Sequence, residues 1–409
     1  MKSIKSIFAM FIILFLFLGC STQSGLDIAA KDNFPMLKGK NVGIVTNHTA
    51  KDKNGNHIVD LIHADSITIK AIYAPEHGFR GEAAAGDYVA DNIDPATGAP
   101  IYSIYGSTRK PTEEMLEGVE VLIFDIQDIG ARFYTYISTM GNIMEAGANH
   151  NIPVYILDRP NPIGRIAEGP IIEQEFYSFV GMYPIPIRHG MTVGELAMMI
   201  KDKAWIENAE QLDLHIIEIS DWNPDKPYEN TKSTWIPPSP NMRNVNEALL
   251  YPGMCLFEAT NFSEGRGTEH PFEWVGANFI NSDTVIAKLE KRNLAGIEIL
   301  PISFIPEDMP GYSMNPKYEG KICYGLELKV TDPSVFKSVE FGINLIEILH
   351  NTYPDKFVIT RERWMNMLWG NRNAFQMILS GKSATEIIDT YHQELSQFIR
   401  IREEYFLYK

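Results

Sequence analysis

The 409 residues carry a formal net charge of -16 and a sequence pI near 5.1, with 45% hydrophobic and 11% aromatic side chains. That apolar share excludes disorder, and the acidic balance argues against nucleic-acid binding, which needs a basic footprint. Three cysteines are too few for a disulfide scaffold.

The chain opens with Lys2 and Lys5, an apolar run from Ile7 to Leu18, then Gly19-Cys20 and a small polar stretch from Ser21 to Gly25. About a dozen apolar residues fall short of the roughly 20 that a spanning helix needs, so positions 1–20 read as an export signal. Gly19-Cys20 resembles a lipobox, with Phe17 where Leu is usual, and makes Cys20 the expected site of lipidation. An ordinary signal peptidase site that discards Cys20 is the alternative. Membrane contact is thus expected only through that anchor, on an exported chain held at the cell envelope, at the periplasmic or outer-membrane face. Residues 21–35 are expected to form a tether. An oxidising compartment permits Cys255 and Cys323 to pair, though we read them as buried free thiols.

Beyond the signal, β-branched runs alternate with amphipathic stretches, the pattern of βα units on a mainly parallel sheet. Expected strands are Val42–Thr46, Ile67–Tyr73, Val119–Asp125, Val154–Asp158 and Leu214–Ile219. Ile58, Leu61 and Ile62 share one helical face, as do Met140, Ile143 and Met144, and Thr192 with Glu195 has capping-box spacing ahead of Leu196 to Ile200. The Pro- and Asn-rich stretch from Pro224 to Tyr251 marks a domain junction. After it come strands near Ile297–Phe304 and Leu326–Thr331, then helices near Val335–Asn351 and Ala384–Arg402, the last opened by Ser383 and Glu386. The expected architecture is α/β: a mainly parallel sheet domain over 36–248, and a smaller α+β C-terminal domain over 249–409.

In doubly wound sheets, ligands bind outside the carboxyl ends of the strands. Those ends read Asn47-His48, Pro75-Glu76-His77-Gly78, Asp125-Ile126-Gln127-Asp128, Asp158-Arg159-Pro160-Asn161 and Asp221-Trp222. Helix capping explains Asp158 and Asp221 as readily as function does. It explains Glu76 poorly, because Pro75 and Gly78 mark an irregular loop rather than a helix start. The chain lacks G-x-S-x-G, a dinucleotide fingerprint, a Walker A loop and H-E-x-x-H, so no cofactor and no metal is expected. Carboxylates remain, with Arg132, Phe133, Tyr134 and Tyr136 close together, and these suit a saccharide. A glycosidase needs a protonated carboxyl for the leaving oxygen, a second group to aid water or the oxocarbenium ion, and aromatic faces for sugar rings.

Four segments carry a resemblance: Ala74 to Gly81, Phe124 to Tyr136, Leu157 to Gly164 and Asn261 to Thr268, together with the ending Arg402 to Tyr408. The chain resembles the NamZ family of exo-acting β-N-acetylmuramidases over nearly its whole mature length. The resemblance implies a Rossmann-like domain without a nucleotide over 36–248, a smaller C-terminal domain over 249–409 that completes the active-site cleft between them, and action on terminal β-1,4-linked N-acetylmuramic acid in peptidoglycan-derived saccharides during cell-wall turnover. It assigns the catalytic carboxyl to Glu76. Arg165-Ile166 departs from the family where a second glycine is commoner.

On this reading Glu76 is the general acid, kept protonated by partial burial and by the like-charged Asp125 and Asp128. His77 either orients Glu76 or is a satisfied loop histidine. The lactyl carboxylate of muramic acid requires a cleft arginine, from Arg80, Arg132, Arg159 and Arg266, with Arg132 or Arg266 favoured. Arg132 could equally be an ion-pair partner for Asp128. Asn47, Gln127, Tyr134, Tyr136, Asn161 and Asn241 are candidates for hydroxyl or N-acetyl contacts, with Asp158 also at the substrate. Glu264 and Arg266 lie on a Gly-rich loop that could rim the cleft. Trp364 and Trp369 read as core. A sugar-capturing lipoprotein that does not cleave, and a hydrolase of a different bond, are the rival readings.

Overall fold

The computed structural model describes residues 21–79 and 92–409, so Cys20 and Arg80 lie outside the described residues. Its larger sheet has seven strands: β1 (Asn41–Thr46), β2 (Thr68–Ala74), β3 (Asn92–Ile93), β4 (Pro100–Ser103), β5 (Val121–Asp125), β6 (Val154–Leu157) and β7 (Leu214–Ile217). They run in the order β3-β4-β2-β1-β5-β6-β7. All neighbours are parallel except the edge pair β3 and β4. Central strands of such a sheet are covered on both faces, and β5 is buried at every position. Its alternate side chains feed two separate cores. Val121 and Ile123 join Leu26, Ile58 and Ile62 on one face, while Leu122 and Phe124 join Met140, Ile143 and Leu196 on the other.

The smaller sheet is antiparallel: β8 (Trp274–Ala277), β9 (Ile297–Phe304) and β10 (Cys323–Val330), in the order β8-β10-β9. The helices Val245–Met254 and Ser338–Thr352 pack against each other beside it. One apolar core continues from the helix Tyr136–His150 through Leu249 and Phe257 to Leu345 and Trp369, so the two halves share an interior. Cys255 and Cys323 are buried and free. Among the described residues, no helix is long and apolar enough to cross a membrane.

The expected capping boxes form at Thr192/Glu195 and Ser383/Glu386, and two more form at Ser24/Asp27 and Asn244/Glu247. The stretch expected as a tether is folded instead. Ser24 caps the helix Gly25–Lys31, Leu26 is fully buried, and Gly25 N–H donates to the Asp158 carbonyl at 2.8 Å. Leu26 supplies the apolar anchor that a solvated linker lacks. The other end of the chain returns to the same place. After the helix Ala384–Arg402, Arg402 donates to the His189 carbonyl at 2.7 Å, and the Tyr408 hydroxyl donates to Asp158 Oδ2 at 2.6 Å. Arg165, the departure noted above, lies 3.7 Å over the Phe406 ring and donates to the Tyr408 carbonyl.

Candidate active site

At the end of β2 the chain turns at once. Gly78 N–H donates to the Pro75 carbonyl at 3.0 Å, and His77 adopts φ +69°. A closed four-residue turn with a left-handed third residue is the type II pattern, where glycine is usual. Histidine there costs roughly 1–2 kcal/mol of backbone strain, which the fold absorbs in order to aim this loop. The turn leaves Glu76 half-buried, with Tyr105 donating to Oε1 at 2.8 Å and Thr135 donating to Oε2 at 2.7 Å. Both partners are hydroxyls, which donate to a carboxylate and accept from a carboxylic acid, so one cradle serves both protonation states. Burial and the facing Glu76 hold the Tyr105 phenol above its ordinary pKa, which keeps its proton in place.

Glu76 and His77 line a cavity of about 350 Å³. Its floor is aromatic: Tyr134 meets Tyr136 at 5.1 Å and Tyr251 at 5.9 Å, and Tyr251 meets Phe272 at 4.8 Å, all edge to face. Tyr251 and Phe272 come from the C-terminal half, so both halves build the cavity. Burial raises the pKa of Tyr134, Tyr136 and Tyr251 far enough to fix them as neutral phenols. The Tyr134 hydroxyl sits beside Ser239 without a well-formed hydrogen bond. A proline-rich strap through Ser239, Pro240 and Asn241 makes one wall. It is fastened by Tyr136 to the Pro238 carbonyl at 2.5 Å and by Asn241 to the Tyr312 carbonyl at 2.7 Å.

The opposite wall is charged. Arg266 donates to Glu258 Oε1 at 2.8 Å, lies 3.7 Å from Glu264 and rests 5.1 Å over the Phe272 ring. Burial works against that charge, but Glu258 and Glu264 outweigh it and raise the Arg266 pKa. Glu264 also takes Lys317 at 2.8 Å, and Glu258 accepts from the Trp364 indole at 3.2 Å. Trp364, expected in the core, faces the cavity, while Trp369 is buried as expected. Beside it, the exposed Arg361 lies with its guanidinium 5.0 Å over the Trp364 ring.

Two family models, described as exo-beta-N-acetylmuramidase NamZ, N-terminal and C-terminal, match residues 42–246 and 249–408. The chain belongs to the NamZ family. It is a glycoside hydrolase. The peptidoglycan beta-N-acetylmuramidase NamZ of Bacillus subtilis (strain 168) is 42% identical over 388 residues, which cover 94% of this chain and 91% of that protein. Crystal structures of two DUF1343 family proteins from Bacteroides fragilis NCTC 9343 superpose with TM-scores of 0.87 and 0.75, at 31% and 34% identity. Each comparison covers 95% of this chain and 99% of the other.

In this NamZ chain Glu76, His77, Tyr134, Tyr136, Asn241 and Arg266 share the cavity. Among the described residues, the remaining expected site residues do not line it. Arg132 is fully buried and donates to four backbone carbonyls: Pro170 at 2.8 Å, Ile185 at 3.0 Å, Leu368 at 2.7 Å and Trp369 at 3.0 Å. It satisfies the end of the helix Glu362–Trp369, lies outside the lining of the cavity expected to hold its ligand, and forms no ion pair with Asp128. Gly370 follows at φ +102°, where a Cβ would meet Arg132 Nη2 at 2.9 Å. Asp125 is held by Arg159 in a buried bidentate pair, at 2.5 and 2.9 Å. Its charge is cancelled there, and Arg159 is committed. Asp128 is buried, accepts from Gly130 N–H at 2.6 Å, and is pushed up to about 7 by burial. Neither aspartate is therefore the like-charged neighbour expected of it.

Asp158 accepts from Thr192, Gly194 N–H and Tyr408, so it caps the helix Val193–Asp202 and clasps the C-terminus. Asn161 donates to the Met191 carbonyl at 2.9 Å and accepts from Ile163 N–H at 3.1 Å, which shapes its own loop. Asn47 is buried and accepts from Thr49. Gln127 donates to the Asp128 and Pro160 carbonyls, and with Arg159 it borders a separate polar cavity of about 580 Å³. Glu264 reaches this cavity through Arg266. Tyr105, Thr135, Glu258, Arg361 and the pocket face of Trp364 are absent from the sequence reading. Of these only Thr135, flanked by Tyr134 and Tyr136, stood in a segment already singled out.

Proposed function

We propose that this chain hydrolyses the terminal β-1,4-linked N-acetylmuramic acid from the non-reducing ends of peptidoglycan fragments, with Glu76 as general acid. Glu76 gives its proton to the glycosidic oxygen as the bond to the anomeric carbon breaks; water adds to that carbon, its surplus proton passes to solvent or back to the Glu76 carboxylate, and the free sugar leaves. The observation that carries this reading is the placement of Glu76. It is the strand-end carboxyl that lines a cavity floored by tyrosines and closed by arginine-bearing segments of the second half. A volume of about 350 Å³ suits a small ligand rather than a polymer, and the proline-rich strap walls one side, in keeping with attack on a chain end. Tyr105 and Thr135 orient the carboxyl, and the strained His77 holds the turn that presents it.

The N-terminal segment directs export, and acylation of Cys20 holds the enzyme at the periplasmic or outer-membrane face of the envelope. Support for this is the charged start, the apolar run and Gly19-Cys20. The decisive experiment uses the soluble body, residues 21–409, with muramic acid-terminated disaccharides, and looks for the released monosaccharide by mass spectrometry. Glu76→Gln keeps the shape of the side chain and removes its acid, so turnover of a chromogenic muramic acid glycoside should fall about 10²–10⁴-fold. A fall of less than tenfold overturns the role given to Glu76.

A further inference from the structure

We infer that Arg361, at the rim of the cavity that holds Glu76, binds the lactyl carboxylate of N-acetylmuramic acid and sets the preference for that sugar. The inference rests on the hydrolysis proposed above. Muramic acid differs from glucosamine by one substituent, a lactyl ether that carries a negative charge, so a preference between the two sugars has to be written at that group. With a net charge of -16 the chain cannot attract an acidic sugar over distance, and the cation has to be local.

Arg80 lies outside the described residues, and among those described the other candidate arginines are spent. Arg132 is saturated by four carbonyls, Arg159 is locked to Asp125, and Arg266 is clamped between Glu258 and Glu264. Lys317, the cation beside them, is bound to Glu264 and to the Phe257 and Phe262 carbonyls. Arg361 differs from all of these. Among the described residues, no carboxylate lies within ion-pair distance of its guanidinium, and its side chain is exposed at the cavity.

Arg361 is nevertheless positioned. Its backbone N–H donates to the Ala259 carbonyl at 3.2 Å, that of Thr360 donates to the same oxygen at 2.9 Å, and Ile359 bridges Thr260. The guanidinium lies over the Trp364 ring, and that ring is tied by its indole N–H to Glu258. A guanidinium held over an indole face by the ring's quadrupole spends no N–H group on a carboxylate, and its planar fork can take an incoming carboxylate bidentately. The same Glu258 clamps Arg266, so one carboxylate orders the wall and leaves the charge of Arg361 uncancelled.

The test compares two substrates, a chromogenic β-glycoside of N-acetylmuramic acid and the same glycoside with its lactyl carboxylate converted to a methyl amide. Both are assayed with the wild-type protein, Arg361→Gln and Arg361→Lys. Loss of a charge-assisted bidentate contact should raise the KM for the acid substrate on the order of 10- to 100-fold in Arg361→Gln, with a smaller change in kcat. Arg361→Lys should recover part of that loss. Amidation should cost the wild-type protein a similar factor and cost Arg361→Gln little more. Equal effects of the substitution on both substrates, or wild-type indifference to amidation, overturn the assignment of Arg361. Failure of the wild-type protein to turn over the acid substrate overturns the hydrolysis reading itself.

Discussion

Replacing Arg132 by Met tests whether this buried guanidinium belongs to the site or to the scaffold. The substitution roughly keeps the length of the side chain and leaves the carbonyls of Pro170, Ile185, Leu368 and Trp369 without their donors. Each buried acceptor left unpaired costs about 1–3 kcal/mol, and these costs overlap where carbonyls share a helix end. Release of the guanidinium from its desolvated position offsets part of the sum, since among the described residues no carboxylate pairs with it and burial lowers its pKa. The expected net loss is about 2–4 kcal/mol. Leu368 and Trp369 belong to the helix that carries Trp364, so the loss falls on the contact between the two halves. Urea unfolding followed by tryptophan fluorescence measures it, and the KM at low temperature, where the variant stays folded, should match the wild type. Wild-type stability together with a selectively raised KM for muramic acid glycosides would refute this account and return Arg132 to the substrate.

Two further outcomes are expected. Burial raises the Asp128 carboxyl from 3.8 to about 7 and lowers the nearby His189 from 6.5 to about 3, the two lying 4.0 Å apart. Between about pH 4 and 6.5 the native state holds the extra proton at Asp128 and the unfolded state holds it at the histidine, so their contributions to the pH slope of stability oppose each other. Asp128→Asn removes the term that falls with pH, and stability should then rise more steeply from pH 4.5 to 6.5 than in the wild type. Unfolding midpoints in urea at the two pH values check this, and an unchanged slope refutes it. Cys20→Ser should move the expressed protein from the detergent phase to the aqueous phase on partition while the soluble activity persists; continued partition into detergent would exclude acylation at Cys20.

The central strands were legible because burial on both faces leaves short, largely apolar runs such as Val42 to Val45 and Val121 to Phe124. β3, with two residues, and β4, which opens on Pro100, have no such run. β8 is Trp-Val-Gly-Ala, and its Gly276 exists for closeness to β10, where a Cβ would meet the Tyr324 carbonyl at 2.4 Å. The site divides in the same way. Glu76 was legible because Pro75 and Gly78 punctuate its turn. Arg132 was not, since its partners Leu368 and Trp369 lie 236 and 237 positions away, and only the folded chain tells a saturated arginine from an available one. Arg361 sits in no motif, and its value comes from what it fails to pair with.

The clasp at Asp158 also has a mechanical consequence. Gly25 binds its backbone oxygen and Tyr408 its carboxyl, so a residue near each end of the described body is stapled to one strand end. Thr22 is already fixed, by its hydroxyl to the Asp221 carbonyl at 2.9 Å. A lipid on Cys20 would have two residues of leash, about 7 Å of extended backbone. Such an enzyme would ride flush against the bilayer with no boom to swing across the wall, and its work would come to it as small, diffusing fragments.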